Sequence, residues 1–319
     1  MKGLEIRQRL FVKFSHQLLL LKENEIIDIE FTNERPYLCP ICLREFADID
    51  LTQRPKNNFL TLEDAPPYAL GGKKVALTCK ECNSGCGTTI DFHLKEILRA
   101  IDDSYFYKGT KHFRTIDHEG GKVSVELTSE GDGTLRAYHR KSKNNPTLLD
   151  KFKFALSNKT LGPLLNLNPP KYNYESKRVN YALLKAAYIL MFAKFGYIFL
   201  LDKSYDAIRQ QLLEPKKEIF PYTPFIKDQF SKEHLGMYYV LNPTIKSILT
   251  VFNLKTEYSE TVIASLIPVP GLPMGMFAHN VNELRNASGH VDIHNSQYDP
   301  DADLFNDLNE IQKILKWIG

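Results

Sequence analysis

The period of apolar and polar residues changes several times along the chain. Over residues 1–34 the two kinds alternate irregularly, and Ile26, Ile27, Ile29 and Phe31 read as a β-rich lead-in with room for a short helix before it. From Thr88 onward, Ile90, Leu94, Ile97, Leu98 and Ile101 recur every three to four positions, which predicts a helix burying one face. Residues 110–158 read as antiparallel β. Val123, Val125 and Leu127 alternate with Lys122, Ser124, Glu126 and Thr128 between glycine turns at Gly120-Gly121 and Gly131-Asp132-Gly133, and Asn144-Asn145-Pro146 breaks the next pair. The most apolar run, residues 181–201, is about the length of a membrane span. Lys185 and Lys194 fall inside it and Gly196 reads as a helix end, so a buried central helix followed by a short apolar segment is the better fit. The two lysines are expected to snorkel to water or to face a bound nucleic acid.

Beyond that run, residues 204–213 predict a second helix ending before Pro215. Residues 235–280 are β-rich, with strands at 237–240, 248–252 and 262–267 and a proline-interrupted loop or edge at 269–276. His290, Asp292 and His294 alternate along a predicted strand, so they share one face as a second metal site or as ordinary surface alternation. Asp299, Asp301, Asp303 and Asp307 lead into a last helix within 301–318, where acidic residues suit the N-terminal end. The fold class is therefore α+β. An N-terminal module over residues 1–105 is followed by a larger α+β domain over 106–319, β-rich at 110–158, helical at 176–214, β-rich at 235–280 and helical at the C-terminus.

Cysteine spacing adds the first chemistry. Cys39-Pro-Ile-Cys42 and Cys79-Lys-Glu-Cys82 are two close pairs, and two such pairs suit a tetrahedral Zn²⁺ held by four thiolates. Glu5, Arg7 and Arg9 interrupt any apolar leader, so a reducing, cytoplasmic setting is expected, in which thiols stay available to a metal. Cys86 reads as a small buried residue, since four sulfurs already complete a site.

Between the pairs lie Glu63-Asp64-Ala-Pro66-Pro67 and the turn Gly71-Gly72, and Asn83 follows the second pair. Residues 36–96 thereby resemble a zinc-stapled HNH endonuclease module. In that family a strand ends in an acidic residue and His, followed by proline, a Gly-Gly turn, Cys-x-x-Cys-Asn and a helix. The resemblance implies a ββα-metal fold, a structural Zn²⁺ and a catalytic Mg²⁺ or Mn²⁺ that polarises a phosphodiester. Carried onto this chain, it makes Glu63, Asp64 and Asp91 divalent-metal ligands, Asn83 a brace for the loop and His93 a reserve ligand or base. Asp64 stands where the family has its general-base His. Three readings follow: Asp64 binds the metal, Asp64 is itself the base, or the module is degenerate and only binds. Asn83 also reads as a helix N-cap, and Asp91 as a first-turn acid favoured by the helix dipole.

The chain has 319 residues, 43% hydrophobic and 25% charged, with a formal net charge of only +3, so it is a soluble-type globular sequence and no polycation. Its basic charge is local. Residues 136–159 hold seven Lys/Arg against one Asp, with Tyr138, Phe152 and Phe154 interleaved. Arg136, Arg140, Lys141, Lys143, Lys151 and Lys153, together with Lys73 and Lys74 beside the Gly-Gly turn, are candidate nucleic-acid contacts; a solvated strand face with its aromatics in the core explains the strip as well. The expected activity is metal-dependent hydrolysis of DNA or RNA, with DNA favoured and a bacterial defence, restriction or toxin setting implied by the resemblance. The alternative is a degenerate zinc module that binds nucleic acid or a protein partner without cleavage. No membrane partner is expected.

Overall fold

A computed structural model describes residues 2–52, 58–158, 160, 167–168, 172–220, 225–227, 229–286, 295–297, 299 and 301–318. It is a mixed α+β structure with small antiparallel sheets. Two compact units interleave in sequence rather than parting once near residue 105. The first comprises Met1–Lys95, Glu175–Lys255 and Glu260–Gly319, the second Glu96–Tyr174 and Thr256–Ser259.

The first unit opens with a long helix, α1 (Lys2–Glu23), and residues 26–31 form no strand. The expected β lead-in is irregular backbone, and the short helix expected before it is the 22-residue α1. Its apolar stripe, Phe11, Phe14, Leu18 and Leu21, is fully buried, but the same side also buries Ser15 and Gln17, which blurs the periodicity. Phe14 stacks on Phe192 at 4.4 Å and meets Phe305 edge-on at 5.2 Å. The Gln17 carboxamide donates to Phe195 O (3.0 Å) and Leu304 O (2.7 Å) and accepts from Tyr197 N (2.7 Å).

Two hairpins follow. β1 (Tyr37–Leu38) pairs with β2 (Glu45–Phe46), and β3 (Leu60–Ala65) with β4 (Lys73–Cys79). Tyrosine hydroxyls close their backbone edges. Tyr37 Oη donates to Leu77 O (2.7 Å) and accepts from Leu77 N (3.1 Å); Tyr197 Oη does the same to Leu38 O (2.6 Å) and N (3.0 Å). Helix α2 (Lys80–Cys86) begins directly after β4, runs through a π turn at Gly87–Asp91 and continues as α3 (Phe92–Tyr105). The helix therefore starts well before Thr88. The π turn adds a residue to the repeat and breaks the 3.6-residue phase that would have revealed the earlier start.

In the second unit, β5 (Lys111–His118), β6 (Gly121–Ser129), β7 (Leu135–Tyr138), helix α4 (Pro146–Ser157) and β8 (Leu167–Asn168) form a sheet in the order β7-β6-β5-β8 with one helix on it. Residues 146–157 are helical where β was expected. Asn145 is the N-cap, accepting from Thr147 N (3.0 Å) and Leu148 N (3.3 Å), and Pro146 takes the first helical position. Leu149 and Phe152 of α4 pack on Ile116, Val123, Val125 and Leu127.

The remainder of the first unit starts with α5 (Ser176–Phe195), buried on nearly every side, then α6 (Tyr197–Leu200) and α7 (Asp206–Leu213). Gly196 separates the first two at φ 60°, a left-handed value that costs glycine little. Strands β9 (Phe225–Lys227), β10 (Gly236–Val240), β11 (Ser247–Lys255) and β12 (Glu260–Pro268), helix α8 (Met274–Asn286), β13 (Asn295–Gln297) and helix α9 (Leu308–Ile318) complete it. The sheet order is β13-β10-β11-β12-β9, and α5 packs against β3, β4, β11 and β12. Helix α8 begins inside the segment read as a loop or edge, and the last helix starts at Leu308, later than the acidic run suggested. His290, Asp292 and His294 lie outside the described residues. Among the described residues no helix is long and apolar enough to cross a membrane.

Candidate functional site

The first pair of cysteines sits on the β1–β2 turn. Leu43 N donates to Cys39 O (2.8 Å) and Leu43 takes φ 55°, which curls the backbone so that Cys39 and Cys42 point the same way. The second pair sits where β4 becomes α2, Cys79 as the last strand residue and Cys82 in the first helical turn. One sulfur from each of Cys39, Cys42, Cys79 and Cys82 lies within 4.8 Å of all the others. Cys42 Sγ and Cys79 Sγ are 3.8 Å apart; four sulfurs about 2.3 Å from one tetrahedral Zn²⁺ would stand at about that separation. The donor set thus fits a single metal ion such as zinc. Arg44 supplies positive charge there. It pairs with Glu81, and its Nε and Nη2 lie 3.4 Å from Cys42 Sγ and 3.6 Å from Cys79 Sγ. Cys86 stands apart, buried with Sγ 3.8 Å from Leu212 O, and burial pushes its thiol up to about 12.

Between the cysteine pairs the β3–β4 hairpin carries the candidate catalytic residues. Its register shifts between Glu63 and Asp64, so that Glu63 faces Ala76 while Asp64 faces Lys74. Such a bulge re-aims side chains at a strand end. Glu63 turns inward and is buried; Asp64 is half-buried. The Gly-Gly turn is sterically required, since Gly71 takes φ 84° and a Cβ on Gly72 would fall 1.5 Å from Pro66 O. Asn83 reaches back from α2 and donates to Leu62 O and Thr61 Oγ1, each at 2.9 Å, tying helix to hairpin.

The residue that sequence reasoning placed elsewhere is Lys185. It neither snorkels nor faces solvent. It is 3% exposed, and its Nζ lies 2.7 Å from Glu63 Oε1 and donates to Asp91 Oδ2 at 2.7 Å. Thr78 Oγ1 donates to the other Glu63 oxygen at 2.6 Å. Both Glu63 oxygens are therefore engaged. Burial alone would lower the Lys185 pKa, but the charges of Glu63 and Asp91 reverse this and hold it above the ordinary lysine value. Burial raises Asp91 despite the ammonium beside it. Asp64 is also raised, first by burial and then by the Glu63 charge, with Lys74 and Lys185 opposing. Asp64 Oδ1 is buried without a hydrogen-bond partner among the described residues.

Glu63, Asp64, Asp91 and Lys185 line one small pocket with Ala65, Pro67, Ala182, Ala186 and Ile189. Its empty volume is about 150 Å³, part of it open to solvent. Among the described residues, only the four cysteines bring three or more His, Cys, Asp or Glu ligand atoms within 4.8 Å of one another. Two of the three expected Mg²⁺ or Mn²⁺ ligands, Glu63 and Asp91, share the Lys185 ammonium, whose single charge offsets one of their two. His93 is outside this pocket: its Nδ1 accepts from Glu175 N at 3.1 Å, and Arg178 Nη1 lies 3.3 Å from its Nε2.

The candidate nucleic-acid contacts fall on several surfaces. Lys73 and Lys74 are exposed on β4 beside the Gly-Gly turn. Arg136 and Arg140 are exposed and pair with Glu130 (3.2 Å) and Glu126 (2.7 Å); Lys141 and Lys143 are exposed just after β7. Lys151, paired with Glu119 (2.9 Å), and half-buried Lys153 lie on α4. The strip over 136–159 is thus divided between a strand edge and a helix. Its aromatics divide too: Phe152 is core, while Tyr138 and Phe154 are exposed.

No protein-family model, no curated protein and no solved structure matches the chain. The four-cysteine cluster and the α+β architecture stand on the chain's own geometry.

Proposed function

We propose that this chain is a zinc-stapled, HNH-like module that binds DNA without cutting it. One observation carries the reading. The Lys185 ammonium fills the space between Glu63 and Asp91, where a hydrolytic module would need a metal ion and its waters. An ammonium supplies one positive charge and no open coordination position, so it stabilises the two carboxylates and activates nothing. Exposed Lys73 and Lys74 beside the Gly-Gly turn give the module positive charge for phosphate contact.

The test is a plasmid-nicking assay of the intact chain in Mg²⁺ or Mn²⁺, beside a gel-shift assay at low salt. Binding without nicking is expected, and Lys73→Glu/Lys74→Glu should weaken the shift. Asp64→His alone should stay silent, since Lys185 remains in place. Metal-dependent nicking by the native chain that disappears in Glu63→Ala would overturn the proposal.

A hydrolytic second reading draws on Asp64. Its carboxyl is raised above the usual aspartate value and has an unpartnered buried oxygen, both suited to a general base. Nicking by the native chain that is lost in Asp64→Asn, with DNA affinity retained, would favour it.

A further inference from the structure

Among the described residues, the sheet of the second unit has one covered face and one open face. Residues 123, 125, 127 and 129 of β6 point to the covered side, where α4 lies. On the open side, the strand register sets Phe113, Glu126 and Tyr138 side by side across β5, β6 and β7, with Lys111, Thr128 and Arg136 in the next row. Phe113 is 47% exposed and Tyr138 50% exposed. Two large rings thus stand half in water on one sheet surface, two interstrand spacings or roughly 10 Å apart. β5 is paired with β6 along its whole length and with β8 at Thr115 and Ile116.

The charge between and around the rings is suited to a polyanion. Glu126, the acid between them, is only 11% exposed in its side chain and is tied by Lys111 (3.8 Å) and Arg140 (2.7 Å). Lys111, Arg136 and Arg140 are each more than half exposed, and Lys141 and Lys143 extend the positive border beyond β7. Against these five cations stand Glu126 and Glu130. Aromatic faces framed by exposed cations are what unpaired bases on a phosphate backbone require, because stacking tolerates any base and is closed to a base inside a duplex.

We propose that this open face is a stacking platform for single-stranded DNA, with Phe113 and Tyr138 each receiving a base and Lys111, Arg136, Arg140, Lys141 and Lys143 facing phosphates. The choice of DNA rests on the reading of the zinc module as a DNA binder; the platform itself uses none of that module's residues.

A fluorescently labelled oligothymidylate titrated with the intact chain, with no Mg²⁺ or Mn²⁺ added, tests it. Phe113→Ala and Tyr138→Ala should each weaken binding by about fivefold or more, the low end for losing one base stack. Lys141→Glu/Lys143→Glu should flatten the salt dependence, since each phosphate contact on a single strand adds about 0.7 to the slope. Phe154→Ala, which removes an exposed ring on α4, should leave affinity unchanged. All these side chains are exposed, and an unaltered melting temperature would confirm intact folding. Unchanged affinity in the Phe113→Ala/Tyr138→Ala double variant, or an equal loss of blunt-duplex affinity in that variant, would overturn the platform; tenfold tighter binding of the matching RNA would overturn the assignment to DNA. Because no divalent metal is present, nicking seen in the plasmid assay would leave this result standing. Failure of the platform would equally leave the Lys185 argument untouched.

Discussion

Lys185 and Asp91 are 94 positions apart in sequence and 2.7 Å apart in space. With Glu63 they make a buried group of two carboxylates and one ammonium, carried on three different elements. Removing the ammonium leaves two uncompensated buried acids, so Lys185→Met should destabilise the fold by about 3–5 kcal/mol. Adding Glu63→Gln and Asp91→Asn to that variant should recover much of the loss, because the like charges are removed as well. Urea unfolding of the single and triple variants checks this; strictly additive losses would show that the three residues do not act as a unit.

The four cysteines should bind one Zn²⁺ per chain by elemental analysis, and a strong chelator should unfold the two hairpins they join. Cys79→Ser should behave like chelation, while Cys86→Ser should keep its zinc, since Cys86 lies outside the cluster. Full zinc retention in Cys79→Ser would remove that residue from the ligand set.

Tyr37→Phe should be unusually costly for the loss of one oxygen. The hydroxyl satisfies both the N–H and the C=O of buried Leu77, so its removal orphans two backbone groups at about 1–3 kcal/mol each. Denaturant unfolding of Tyr37→Phe beside the exposed control Tyr68→Phe measures it. Equal stability of the two would mean that other groups take over the edge.

In the second unit, Asp103 receives Arg114 at 2.6 Å and also pairs with His112. Burial pushes its carboxyl up, but hydrogen bonds from Tyr172 and Arg114 and the Arg114 charge outweigh this and hold it below the usual aspartate value. Its contribution to stability is therefore complete above the unfolded aspartate pKa, about 3.9, and is lost as pH falls through the lower folded value. Asp103→Asn should be less stable than the native chain at neutral pH, and the gap should narrow in acid. A gap constant from pH 6 to pH 2 would contradict the assignment.

Features encoded by local spacing were legible in the sequence. The paired cysteines, the alternation of Val123, Val125 and Leu127, and the helix stop at Gly196 each depend on neighbours a few positions away. Features set by distant partners were not. Helix α1 was obscured because its inward side includes Ser15 and Gln17, whose burial is worthwhile only with remote groups to bond or pack against. Asn145-Pro146 marks a break between strands as readily as the start of α4, and local spacing does not decide between them. Lys185 and Lys194 look alike in the sequence, because a lysine in an apolar run is usually a surface cation. The available clue was that a charge held in so apolar a stretch demands buried acids, and Glu63 and Asp91 were the acids singled out elsewhere.

The Gln17 carboxamide bonds to residues 178, 180 and 287 positions further along the chain. Helix α1 is therefore made well before the neighbours it bonds to. Docking of α1 is a non-local step that needs residues near 304, and it is expected late in folding. Pulse-labelling by hydrogen exchange during refolding should accordingly find the Tyr197 amide, which is bonded to Gln17, protected only after the local hairpins have formed.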